Sequence, residues 1–212
     1  MFFFTRLQTP RFSSTDYEKL IERMLVDAAI LEGSSHKYNA LLKLKGHVAK
    51  MAASLHQLKG LSSSATIEPL EKCIQQAIFN TIDNKKTDHN EIKNRLAHLK
   101  EDLNSEEGRK IISGLFMFTN GLLTTVSAVG IIIFGAAMTT GPVGMALLAL
   151  TMAIVSALVL MIAAYSLYVD GRNLFDKQIK EIESGIDFLI EEYTELQAGN
   201  AEELDNMGRV YN

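Results

Sequence analysis

From Ile111 to Val169 the chain carries no Asp, Glu, Lys or Arg. That run is 59 residues long in a chain of 212 whose charged fraction is 22%. If charges were scattered at that frequency, a run of this length would arise with a probability on the order of 10⁻⁷ to 10⁻⁶. A helix that crosses the hydrocarbon of a bilayer needs roughly 20 apolar residues. The run is too long for one crossing and long enough for two. The overall averages conceal this segregation, because 47% hydrophobic residues and a net charge of −4 describe an ordinary globular protein.

The break between two crossings falls at Thr139-Thr140-Gly141-Pro142-Val143-Gly144. Gly141, Pro142 and Gly144 punctuate the chain, and Pro142 disfavours helix at Gly141. The first span is expected over about 111–138 and the second over about 143–169. The short uncharged turn makes them antiparallel neighbours. Each span carries small residues at seven-residue spacing: Gly114, Gly121, Ala128 and Gly135 in the first, Ala149, Ser156 and Ala163 in the second. Seven residues are close to two helical turns, so each row is one face. Small residues allow close helix approach where lipid removes the hydrophobic drive for association. The two rows are therefore expected to face each other. Asn120 is expected to bond across the helix pair rather than line a pore.

Arg109 and Lys110 precede the hairpin, and Arg172, Lys177 and Lys180 follow it, whereas the turn carries no positive charge. The positive-inside rule then predicts a two-span membrane protein with both termini in the cytosol. Tyr165 and Tyr168 fall near the exit, where aromatic rings favour the membrane interface. The opening Met1-Phe2-Phe3-Phe4-Thr5-Arg6 is too short for a signal-peptide core. It reads as a disordered or packed terminus, with a minor interfacial anchor as the alternative.

The polar remainder shows helical periodicity throughout. Thr15 and Glu18 form a capping box before a helix expected over 16–32, whose face is Tyr17, Ile21, Met24, Ala28 and Leu31. Leu41, Leu44, Val48, Met51, Leu55 and Leu58 form a 3-4 seam in a second helix. A third helix is expected from about Pro69, with Leu70, Ile74, Ala77 and Ile78 on one face. A fourth follows the Asp88 cap, with Ile92, Leu96, Leu99 and Leu103. After the hairpin, Phe175, Ile179, Ile182, Ile186, Leu189, Tyr193 and Leu196 predict a long helix over 173–198. These seams predict an all-α fold: an amphipathic helical bundle, a two-helix transmembrane hairpin and a long C-terminal amphipathic helix. Intermolecular coiled coil is the alternative for the C-terminal seam. The expected organisation is a head over 1–108, the hairpin over 109–170 and an acidic helix with tail over 171–212.

Charge is divided as unevenly as hydropathy. Residues 1–110 hold 17 Lys or Arg against 14 Asp or Glu, and residues 170–212 hold 4 against 11. No acid lies between Glu32 and Glu68, a window that contains Lys43, Lys45 and Lys50. Three readings stay open for those lysines: a solvated face, contact with anionic lipid, or pairing with the acidic C-terminal helix. The slight negative charge argues against nucleic acid as a partner. A single cysteine, Cys73, excludes a disulfide framework and a multi-cysteine metal site. It is expected to be a small buried apolar residue. The histidines lack metal-ligand spacing and read as surface residues. Tyr-x-x-apolar tetrads at Tyr17, Tyr38 and Tyr193 match adaptor-sorting signals in form, but their spacing suits core packing. With no phosphate loop and no catalytic constellation, no enzyme activity and no cofactor are expected.

The Gly-rich apolar stretch from Gly130 to Gly144 inside a small, Pro-poor helical chain resembles hairpin-anchored secreted effectors of intracellular bacteria. The resemblance covers about 105–175 in character only. It implies insertion into a host membrane with a head that recruits a host factor. The leading expectation is a non-enzymatic integral membrane protein whose head binds an unidentified protein partner or reshapes the bilayer. A homo-oligomer is compatible with it. The alternative is a pore former in which an apolar hairpin inserts from a soluble helical shell, an order of helices that resembles the pore-forming domains of colicins.

Overall fold

The computed structural model describes residues 6–30, 35–60, 64–83, 85, 87–105, 108–140 and 142–192. The described residues form seven α-helices and no strand. They are α1 (Asp16–Ile30), α2 (Ser35–Lys59), α3 (Ser64–Ile82), α4 (His89–Ser105), α5 (Gly108–Thr140), α6 (Val143–Leu174) and α7 (Lys177–Asp187), which continues into a π-helical turn at Phe188–Glu192. Two compact units result: Arg11–Ser105 with Gln178–Asn212, and Met1–Pro10 with Glu106–Lys177. The division differs from the sequence expectation at both ends. Residues 6–10 group with the apolar hairpin, and residues 178–192 group with the bundle rather than standing apart.

In the bundle unit, α1 packs on α2, α3 on α4, and the π-helical turn on α2 and α3. The α2 seam from Leu41 to Leu58 is buried at all six positions, and so are Leu70, Ile74, Ala77 and Ile78 of α3 and Ile92, Leu96, Leu99 and Leu103 of α4. On α1 the buried face is Tyr17, Ile21, Leu25 and Ala28. Leu25 replaces the expected Met24, so the buried face steps 4-4-3 along the helix. α3 begins at Ser64, five residues before the expected Pro69. Pro69 sits in the second turn, where its missing N–H forfeits one bond to the Ala65 carbonyl. The Asp88 carboxylate caps α4, accepting from the N–H groups of Asn90 and Glu91 at 3.1 and 3.3 Å.

The start of α1 is held by charge as well as by its cap. The Thr15 N–H and hydroxyl both donate to Glu18 Oε2, at 2.7 and 2.8 Å. Arg11 grips both oxygens of the same carboxylate at 2.7 and 2.6 Å. Burial pushes the Glu18 carboxyl up, but the bonds from Arg11 and Thr15 outweigh it and hold it below the usual carboxylate range. Folded Glu18 therefore releases its proton more readily than unfolded Glu18. Its contribution to stability is complete above the unfolded pKa and is lost as pH falls through the lower folded value. Glu18→Gln is expected to destabilise the full chain at pH 7. The deficit against wild type should shrink as the pH drops below about 4, read by thermal unfolding in neutral detergent.

The expected single C-terminal helix is broken. α6 runs on to Leu174, and Asp176 adopts a φ of 54°. That left-handed conformation suits Gly, Asn and Asp and ends a helix. The Asp176 N–H bonds the Asn173 carbonyl at 3.1 Å. Phe175 falls at the break and is 63% exposed, so it is not part of the seam. Ile179, Ile182, Ile186 and Leu189 are buried. α7 lies close enough to α2 that a Cβ on Gly185 would overlap the Met51 side chain. Glu181 accepts from Ser54 of α2 at 2.6 Å, and Glu183 pairs with Lys100 of α4 at 2.7 Å. Tyr193 and Leu196 lie outside the described residues.

In the second unit, α5 and α6 form a packed antiparallel hairpin. At 1.5 Å per residue they are each roughly 50 Å long. α6 starts at Val143, and the Pro142 carbonyl accepts from the N–H groups of Met145 and Ala146. Gly144 lies in that first turn, and Gly141 lies outside the described residues. Ile112–Thr139 and Met145–Leu174 are long and apolar enough to cross a membrane, and an 18-residue apolar stretch within each is only 6% buried.

The helix contact uses a different face of α5 from the one expected. A Cβ added at Gly114, Gly121 or Gly135 would meet open space. Ala128 is half-buried. The buried row is offset by one residue: Ser113, Asn120 and Ser127. Close approach occurs at Gly130 instead, where a Cβ would lie 2.8 Å from Ser156 Oγ. On α6, Ala149 and Ala163 are buried and Ser156 is half-buried. A one-residue offset rotates a helix face by about 100°, enough to carry the glycines off the contact. Gly114→Ala and Gly121→Ala should therefore stabilise α5 by up to about 1 kcal/mol each. Gly130→Val should cost about 1–3 kcal/mol by forcing the helices apart. Thermal unfolding in bicelles reads both.

Candidate functional site

Two features of the hairpin stand out chemically: an apolar outer surface, and a buried polar layer at its open end. The outer surface is lined by large exposed side chains. On α5 they include Leu115, Phe118, Val126 and Ile132; on α6 they include Leu147, Ile154, Val155 and Met161. A contiguous apolar surface of this kind on a water-soluble monomer would be unusual.

The polar layer is assembled from both helices. Asn173 donates to Ser113 Oγ at 2.8 Å. The Asn120 amide donates to Asp170 Oδ2 at 3.1 Å and to the Arg6 carbonyl at 3.3 Å. Ser166 Oγ accepts from the Gln8 N–H at 2.7 Å and donates to the Ile162 carbonyl at 2.8 Å. Ser113, Asn120, Ser166, Asp170 and Asn173 are each no more than 2% exposed. Asn120 thus makes the cross-helix bond expected of it, to a partner the sequence left unnamed.

The same bonds seat the N-terminal segment. Residues 6–10 are non-helical, and the main chain of Arg6 and Gln8 is held by side chains more than 110 residues away. A backbone group laid on an apolar hairpin needs such partners, because the surroundings offer no others. The segment carries the Arg6 guanidinium over the Phe116 ring at 5.1 Å. On α6, Arg172 lies over the Tyr168 ring at 5.5 Å and donates to the Tyr168 hydroxyl at 2.8 Å. Tyr165 packs beside Tyr168, with ring centroids 6.3 Å apart. Two Arg–aromatic pairs therefore stand at the open end of the hairpin.

The basic window of α2 divides. Lys45 pairs with Glu22 of α1 at 2.8 Å, and Lys59 with Glu71 of α3 at 2.6 Å. Lys43 and Lys50 are exposed. Glu183 of α7 pairs with Lys100 of α4.

Other sequence candidates take structural places. Cys73 is half-buried rather than packed in the core, with its Sγ 3.6 Å from Glu91 Oε1. Burial pushes its thiol up; Arg95 opposes this, and Glu91 adds to it. His47 is not a solvated surface residue: it stacks on Phe188 with centroids 4.2 Å apart and planes 4° apart. Tyr17 is buried within α1, so its tetrad is not presented as an extended peptide. Tyr38 lies on α2, and Tyr193 lies outside the described residues. No cluster of metal-ligating side chains occurs among the described residues. Comparison with protein-family models, with curated proteins and with solved structures found no match.

Proposed function

We propose that this chain is a non-enzymatic integral membrane protein anchored by the α5–α6 hairpin. Its helical bundle is held at the membrane to bind a protein partner or reshape the bilayer. The observation that carries the reading is the exposure of the apolar surface of both long helices, an 18-residue apolar stretch of each being only 6% buried. A core helix of a water-soluble protein would bury most of such a stretch. The positive charges at Arg172, Lys177 and Lys180, against an uncharged turn, favour both termini on the cytosolic side. The exposed Lys43 and Lys50 are available to anionic headgroups. The resemblance to hairpin-anchored secreted effectors would make that membrane a host membrane.

The pore-forming alternative gains no support from the hairpin's polar row, which is turned inward and bonded rather than presented to water. The test is flotation with vesicles after cell-free synthesis. The full chain should float with the lipid, and a chain lacking 111–169 should stay at the bottom. Protease added outside the vesicles should remove both flanks of the hairpin together. Equal flotation of the two chains would defeat the proposal.

A further inference from the structure

The open end of the hairpin has a depth that can be read from helix length. This step rests on the membrane reading above. Asn120 lies about 30 Å of helix from the end of α5 at Thr140, at 1.5 Å per residue. The hydrocarbon of a bilayer is roughly 30 Å thick. With the uncharged turn in the far headgroup layer, the hydrocarbon ends near the level of Asn120 on α5. Phe116, Tyr168 and Asp170 lie about 36–40 Å of helix from the turn, beyond that edge.

The chemistry changes at the same level. Asp170 and Arg172 are the only charged residues within the two apolar windows, Ile112–Thr139 and Met145–Leu174. The segment 6–10 is seated here by Asn120 and Ser166, and it brings a second guanidinium, Arg6, to the ring of Phe116. Tyr and Arg are the residues that suit the boundary between acyl chains and headgroups: the ring enters the apolar side while the polar group stays with water and phosphate. Arg is also the better match to a phosphate, because its fork donates two parallel bonds.

We propose that the open end of the hairpin and the N-terminal segment laid on it form one collar that binds phospholipid phosphates, with Arg6 and Arg172 as its cations. The N-terminal segment is then a third membrane-contacting element, far from the hairpin in sequence. Asn120 and Ser166 act as positioning residues, since they hold its main chain rather than touch lipid. The lipid phosphodiester is common to zwitterionic and anionic phospholipids, so the collar engages both.

The test uses the full chain reconstituted in vesicles, with Cys73→Ser as background and one environment-sensitive probe attached to a single new cysteine. Leu7→Cys places the probe on the N-terminal segment, at an exposed side chain. Val126→Cys places it on the outer face of α5. Lipids spin-labelled at the headgroup should quench the Leu7 probe several-fold more than lipids labelled deep in the acyl chain. The Val126 probe should show the reverse order. Arg6→Glu with Arg172→Glu should at least halve headgroup quenching at Leu7 and leave Val126 unchanged. A Leu7 probe quenched by aqueous iodide and not by headgroup-labelled lipid would overturn the collar. So would a Leu7 signal indifferent to the double substitution. If the Val126 probe is quenched by no lipid, the membrane reading itself fails, which separates the two outcomes.

Discussion

Asn120→Leu should destabilise the hairpin by about 3 kcal/mol, the largest single-residue effect expected within it. The cost does not come from the lost hydrogen bond alone. Asp170 is 1% exposed, and Asn120 donates to its Oδ2 while also holding the Arg6 carbonyl. Removing the amide takes a hydrogen bond from a buried carboxylate and from a backbone carbonyl together. An unsatisfied buried polar group costs far more than an average bond contributes, whereas exchanging both partners for apolar groups is close to neutral. Asn120→Leu with Asp170→Leu should therefore be closer to wild type than Asn120→Leu alone. Thermal unfolding in bicelles, followed by circular dichroism, reads the cycle. Strictly additive losses, or an indifferent Asn120→Leu, would mean that the two side chains do not depend on each other.

Arginine on the outer face of the hairpin should abolish stable insertion. Val126 and Val155 are 68% and 48% exposed, on α5 and α6 respectively. Each lies about 20 Å of helix from the turn, near mid-bilayer. An Arg at that depth costs about 3 kcal/mol by insertion scales, so Val126→Arg with Val155→Arg costs about 6 kcal/mol. The same exchange at an exposed site in water stays within about 0.5 kcal/mol. The double variant should lose nearly all its membrane fraction. By contrast, Lys43→Glu, on the exposed face of α2, should leave that fraction largely intact. Full membrane recovery of the double Arg variant would show that the exposed apolar face does not meet lipid.

The ease with which each element could be read from sequence follows from how distinctive its neighbours are. The α2 seam is plain because Leu41 to Leu58 stand among Lys, His and Gly, so the buried face contrasts with the solvated one. Inside the hairpin that contrast fades, since α5 carries no charge from Ile111 to Thr140. Small size singled out Gly114 and Gly121, but the contact lies one residue away, along Ser113, Asn120 and Ser127. Polarity within an apolar helix was the better signal, and Asn120 was the visible part of it. The docking of residues 6–10 had no signature, because its bonds come from main-chain atoms of Arg6 and Gln8 that every residue possesses. The C-terminal heptads continue through Phe175 although the helix does not. Hydrophobic spacing carries no trace of the left-handed turn at Asp176, and an Asp beside a run of Lys, Gln and Ile is compatible with either outcome.

The claim that the α5–α6 hairpin lies in the bilayer is tested most directly by alkaline carbonate extraction of membranes from cells that express the full chain. Carbonate strips proteins held by charge or by partners and leaves those that cross the hydrocarbon. The full chain should remain in the membrane pellet, and the chain lacking 111–169 should be released. Recovery of intact full-length protein in the supernatant would contradict the account.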